Sequence, residues 1–164
     1  MDEHLQLVGH NQQLVRAYNS AMETLSGTTT FVLHKVAVAG RRAIADRLAE
    51  RPGLTLWEYA ALAELAELGP SAQNMLAAAL GMDPADMVRL MDALIEKRLV
   101  QRERDPADRR RYRITLTTRG RTALTTAQRT VRDVEKATLQ PLTAAERATL
   151  HALVTKIRTH SAQD

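Results

Sequence analysis

Apolar side chains at Leu5, Val8, Val15, Tyr18, Met22 and Leu25 recur at steps of three, four or seven, so Glu3 to Leu25 is predicted to be one amphipathic helix. Ser26, Gly27 and three threonines interrupt it. A second stripe follows at Phe31, Val32, Val36, Ala39, Ala43 and Leu48, ended by Arg51, Pro52 and Gly53. Thr55 with Glu58 three residues on is a capping box, and Trp57, Tyr59, Leu62, Leu65 and Leu68 carry that helix to Gly69 and Pro70. Ser71 is the expected cap of a short helix to Leu80. Gly81 then supplies a left-handed turn, and Asp83 with Pro84 at the first helical position opens another helix. Its apolar face is Met87, Leu90, Met91 and Leu94, which leaves Ala85, Asp86, Val88, Arg89 and Asp92 on or near the other side.

At Leu99 the period changes. Leu99 to Arg102 reads as a brief strand, and Tyr112, Ile114 and Leu116 alternate with Arg113 and Thr115, the two-residue period of a half-buried strand. Asp105, Pro106, Ala107 and Asp108 between them favour a turn, because proline presets φ and aspartate bonds nearby amides. From about Thr118 to Leu139 the helical period returns, with Leu124, Ala127, Val131, Val134 and Thr138 on one side. After Pro141, Thr143 and Glu146 cap a last helix bearing Leu150, Leu153, Val154 and Ile157. The fold class is mainly α with a small β-hairpin: six or seven helices, a winged helix-turn-helix head over 54–117, and long flanking helices over 1–50 and 118–164 that exceed what a reading head needs and are expected to form a dimerisation region. Met75, Met82, Met87 and Met91 are expected to serve as adaptable core packing.

Charge sharpens this picture. Between Lys97 and Arg121 stand ten cations and three acids, a local +7 in a chain whose total is +4. Positive charge focused on one hairpin suits a phosphate backbone. Aromatic residues make up only 3% of the chain, too few for the stacking platforms of single-strand and RNA readers, so duplex DNA is favoured. There are no cysteines, which removes disulfides, thiolate metal sites and thiol sensing, and the five histidines show no ligand-pair spacing, so no metal or other cofactor is expected. No phosphate-binding glycine loop, nucleophile elbow or zinc-hydrolase spacing supports an enzyme. Without a signal-like start or a membrane-length apolar run, the expected location is the cytoplasm.

The stretch from Leu76 to Gly120, LAAALGMDPADMVRLMDALIEKRLVQRERDPADRRRYRITLTTRG, resembles the recognition helix and wing of the MarR family of bacterial transcription regulators. Asp108 and Arg110 followed by Leu116, Thr117 and Gly120 carry the resemblance most strongly, and LTLWEYAAL (Leu54 to Leu62) is similar to that family's second-helix signature. The likeness extends from about Thr30 to the C-terminus. It implies a homodimer joined by its terminal helices, a recognition helix in the major groove, and a wing arginine in the minor groove. Arg110 matches that arginine and Asp108 the acid that pairs with it, with Arg109 and Arg111 beside them for phosphates. Pro84, Ala85, Asp86 and Val88 stand where small hydroxyl residues are common in the family. Asp86 can accept from cytosine N4, Val88 can touch a thymine methyl, and Arg89, the favoured base reader, can reach guanine or a phosphate.

Ser71, Gln73 and Asn74 begin the helix that would cross the backbone and are candidates for phosphate oxygens, although capping explains Ser71 equally well. His34, Arg41, Trp57 and Tyr59 fall where the family places a pocket for a small aromatic or anionic effector; each also suits a core or interface position. The resulting expectation is a ligand-responsive homodimeric repressor on a pseudo-palindromic operator, with half-sites roughly 34 Å apart. The competing expectation is an architectural or protein-interaction winged helix without sequence selectivity.

Overall fold

The computed structural model describes Met22, residues 24–106, Asp108 and residues 110–161. Most of the helix expected over 3–25 lies outside the described residues, with helical Met22 and Thr24 to Ser26 as its visible end. Two compact units divide the chain, Met1–Arg42 and Ala43–Asp164.

Thr28 starts the first complete helix, α1 (Thr29–Glu50), by accepting the Phe31 N–H on its hydroxyl at 3.3 Å. In the first unit Val32, Val36 and Val38 are about half exposed. In the second unit Leu48 is fully buried and Ile44 packs on the core.

The second unit is built on α2 (Leu56–Leu68), α3 (Gln73–Leu80) and α4 (Pro84–Glu96), followed by β1 (Val100–Arg104), β2 (Tyr112–Leu116), α5 (Thr118–Thr138) and α6 (Ala144–Ser161). The capping box of α2 forms: Glu58 N–H donates to Thr55 Oγ1 at 3.2 Å, and Thr55 N–H donates to Glu58 Oε2 at 2.8 Å. Leu62, Leu65, Leu76, Met87, Met91, Leu94, Ile114, Leu116 and Leu124 make one core shared by α2 to α5 and the hairpin. Burying each large side chain contributes about 1.5–3 kcal/mol, so the face of α4 with three fully buried residues fixes how that helix presents its other side. Met87 and Met91 fill this core and Met82 packs against it, whereas Met75, on the outer side of α3, is exposed.

Strand β1 runs to Arg104, two residues beyond the expected end, and pairs antiparallel with β2 from Val100↔Leu116 to Arg104↔Tyr112. Ser71 adds a third, single-residue edge. Its N–H donates to Ile114 O at 3.1 Å and its carbonyl accepts from Ile114 N–H at 2.8 Å. This overturns Ser71 as the cap of α3: the residue at that position is Ala72, which makes no side-chain cap, and the Ser71 hydroxyl donates to Gly69 O. A β-bridge took the residue that local capping rules assigned to the helix.

The base of the hairpin is closely packed. A Cβ on Gly120 would lie 1.9 Å from Leu99 O, so only glycine lets α5 approach the backbone before β1 this closely. Thr117 caps α5 by accepting Gly120 N–H at 3.0 Å and donates its own hydroxyl to Arg98 O at 2.8 Å. Arg98 is in the left-handed region at φ 58° where a helix end ordinarily takes glycine, held by Arg98 N–H to Ile95 O and Leu99 N–H to Leu94 O. Helix α6 begins with its own capping box. Thr143 donates N–H and hydroxyl to Glu146 Oε2 at 2.8 Å each, and these bonds hold the Glu146 carboxyl below its usual pKa. Along α6, Leu153, Val154 and Ile157 are exposed.

Candidate nucleic-acid interface

Helices α3 and α4 meet at Gly81, whose φ of 60° and N–H bond to Ala77 O close α3, and Asp83 reopens the chain by accepting Ala85 N–H at 2.8 Å. With Met87, Met91 and Leu94 buried, Ala85, Asp86, Val88, Arg89 and Asp92 are all exposed, as their spacing predicts. The helix is 13 residues long, about 20 Å, a length that fits a major groove. On its exposed side Arg89 Nη2 and Asp86 Oδ1 form an ion pair one helical turn apart.

Cross-strand and turn contacts join the described residues of the wing. Asp105 N–H donates to Arg111 O at 3.0 Å and Arg111 N–H to Asp108 O at 2.9 Å, closing the tip. Asp108 Oδ1 accepts the Arg110 backbone N–H at 3.0 Å. The acid therefore holds the arginine through its main chain, where pairing with the side chain was expected. Arg110 and Arg111 are exposed, and Arg109 lies outside the described residues. Arg104 stacks 5.0 Å from the Tyr112 ring centre, a cation–π contact that stiffens the last strand pair.

Several cations counted in the local +7 have other roles. Arg113 pairs with Glu103 across the strands at 3.0 Å. Lys97 Nζ lies 2.7 Å from Glu58 Oε1 and donates to Gly53 O at 3.0 Å, tying the end of α4 to the start of α2. Glu58 is 4% exposed, so this pair is structural. Sequence spacing missed it because the partners are 39 residues apart.

At the start of α3, Arg102 of β1 donates to Gln73 Oε1 at 2.7 Å, joining one nominated phosphate contact to the wing. Asn74 is exposed beside it. Since Ala72 supplies no cap, the first-turn amides of α3 lack a side-chain acceptor and can meet an anion. Ser71 does not belong with them: it is 5% exposed and its hydroxyl is bonded to Gly69.

The four nominated effector residues have different settings. His34 and Arg41 are exposed in the Met1–Arg42 unit. Trp57, 51% exposed, lines a cavity of about 430 Å³ with Met82, Asp83, Asp86 and Leu90, while Tyr59, two residues on, packs against the core. The carboxylates in the Trp57 cavity disfavour an anion. A different cavity of about 740 Å³ has Arg51, Lys97 and Arg119 in its wall, with Leu54, Leu99 and Thr118.

The pattern of the MarR family matches residues 53–111, which hold the helix-turn-helix and most of the wing. A transcriptional regulatory protein for the hcr operon of Thauera aromatica is 30% identical over 134 residues, covering 82% of this chain and 81% of that protein. The chain belongs to the MarR family. Another relative, the HTH-type transcriptional repressor NicR of Pseudomonas putida, is 31% identical and covers 70% of this chain and 73% of its own length. A MarR variant from E. coli, solved in complex with operator DNA, aligns with a TM-score of 0.64 at 26% identity, covering 77% of this chain and 90% of that one. This MarR-family protein is a DNA-binding transcription regulator with a winged helix-turn-helix fold.

Proposed function

We propose that the protein is a homodimeric repressor that occupies a pseudo-palindromic operator, with Ala85, Asp86, Val88 and Arg89 toward the major groove and Arg110 in the minor groove. Arg109 and Arg111 flank it at phosphates, and Gln73 and Asn74 meet the backbone where α3 crosses it. The observation that carries this reading is that the exposed side of α4 and the strands bearing the exposed Arg110 and Arg111 are fixed on one shared core. Exposed Leu153, Val154 and Ile157 on α6 supply the apolar surface a second copy would cover.

The reading moves the effector from the four residues nominated by sequence to the cavity walled by Arg51, Lys97 and Arg119. An aromatic carboxylate there would find Arg51 and Arg119 in a wall that also holds Leu54 and Leu99. It would touch the turn that joins α4 to β1, and so bias both reading elements together.

Selection of bound sequences from random duplexes, with light scattering on the same protein, tests the proposal. Enrichment of a near-palindrome with half-sites about one duplex turn apart, bound by a particle of about twice 18.2 kDa, is the expected result. Binding that enriches no sequence supports the architectural alternative instead.

A further inference from the structure

We infer that Arg89 and Asp86 act as one reading unit that selects a G·C base pair in each half-site, with the guanine facing Arg89. The inference rests on α4 lying in the major groove, as proposed above.

The two side chains are paired on the exposed side of α4, in the half of the helix that begins at Pro84, and both remain largely open to solvent, 75% for Arg89 and 56% for Asp86. An exposed pair one turn apart does little for stability. In this arrangement the guanidinium is turned toward the Asp86 carboxylate, so that the two side chains can meet one base pair together.

The atoms left over define what can be read. One Asp86 oxygen, Oδ1, receives Arg89 Nη2, which leaves Oδ2 as a free acceptor and most of the five guanidinium N–H groups as donors. Read from arginine to aspartate, the unit presents donor, donor, acceptor. In the major groove a G·C pair presents N7 acceptor, O6 acceptor and N4 donor in that order, the complement of this array. An A·T pair places a donor at its centre, against the second guanidinium N–H. T·A fails in the same way, and C·G presents the complement in reverse. Arg89 alone would prefer guanine wherever it could reach one. With Asp86 beside it, the unit also fixes which strand carries that guanine, because only one orientation gives the carboxylate the cytosine amino group.

The test uses the selected operator and a set of duplexes in which one position is changed in both half-sites to each of the other three base pairs. Wild type, Arg89→Ala and Asp86→Asn are titrated at one fixed salt concentration. For wild type, one G·C position is expected to lose about tenfold or more in affinity on each change. Arg89→Ala should flatten that position to within about twofold while keeping the preferences elsewhere, and Asp86→Asn should keep guanine favoured but narrow its margin over C·G. Three outcomes overturn the inference alone: an unchanged profile in Arg89→Ala, a uniform loss at every sequence, which marks a phosphate contact, or a most sensitive position that is not G·C. A wild-type protein that selects no operator overturns this inference and the operator reading together.

Discussion

The two ends of the wing use cationic side chains for opposite purposes. At the tip, Asp105, Asp108 and the backbone of Arg110 and Arg111 close a turn that leaves the arginine side chains exposed. At the base, some 13 Å away along five-residue strands, Lys97 is locked to buried Glu58, Arg98 occupies a left-handed position, and Gly120 admits the Leu99 carbonyl. Charge at the tip is available to a partner, while that of Lys97 at the base belongs to the fold. A local sum of charges merges the two ends because they are close in sequence; only the strand register separates them.

This contrast predicts that base substitutions change stability and tip substitutions change DNA affinity. The largest effect is expected for Gly120→Ala, which must displace the Leu99 backbone and should cost about 3 kcal/mol or more of unfolding free energy, read by denaturant titration. Glu58→Ala leaves the Thr55 N–H without its acceptor and Lys97 without its counter-charge, and should cost about 2 kcal/mol in the same measurement. A loss under about 0.5 kcal/mol for either would remove the distinction between base and tip.

Arg110→Ala should weaken operator binding by about 1–3 kcal/mol and leave the unfolding midpoint unchanged, seen by comparing fluorescence titration with thermal melting. Arg98→Gly should act in the opposite sense to the other base changes, raising stability by about 0.5–1 kcal/mol as the left-handed backbone loses its side-chain penalty. The smallest effect concerns α6. Because hydrogen bonds from Thr143 lower the Glu146 pKa, their contribution is present above the carboxylate's unfolded pKa and is lost as pH falls through the lower folded value. Protection of the first-turn amides of α6, taken relative to their intrinsic exchange rates, should therefore fall in acid for wild type and show no such acid-dependent fall in Glu146→Gln.

Much of the head was legible from sequence because its signals are local. The Thr55–Glu58 and Thr143–Glu146 boxes, the Gly81 turn, the Asp83–Pro84 start and the two faces of α4 each depend on residues within a few positions, and each is present in the structure. The mistakes share a different cause. Ser71 joined the sheet edge because Ile114, 43 residues away, offered it backbone bonds, and Lys97 left the DNA-facing charge because Glu58 was buried within reach. Met75 carries an apolar side chain outward on a short helix whose inward positions were already filled by Leu76 and Ala77. Trp57 and Tyr59 were grouped by position, yet residues two apart on a helix point in different directions.

The division of the wing is tested most directly by the salt dependence of DNA binding in two double variants, Arg110→Ala with Arg111→Ala at the tip and Arg98→Ala with Arg119→Ala at the base. If the tip arginines meet phosphates and groove, the slope of log K against log salt falls by about two for the tip pair and stays at the wild-type value for the base pair. Equal falls in both, or a fall only at the base, would contradict it.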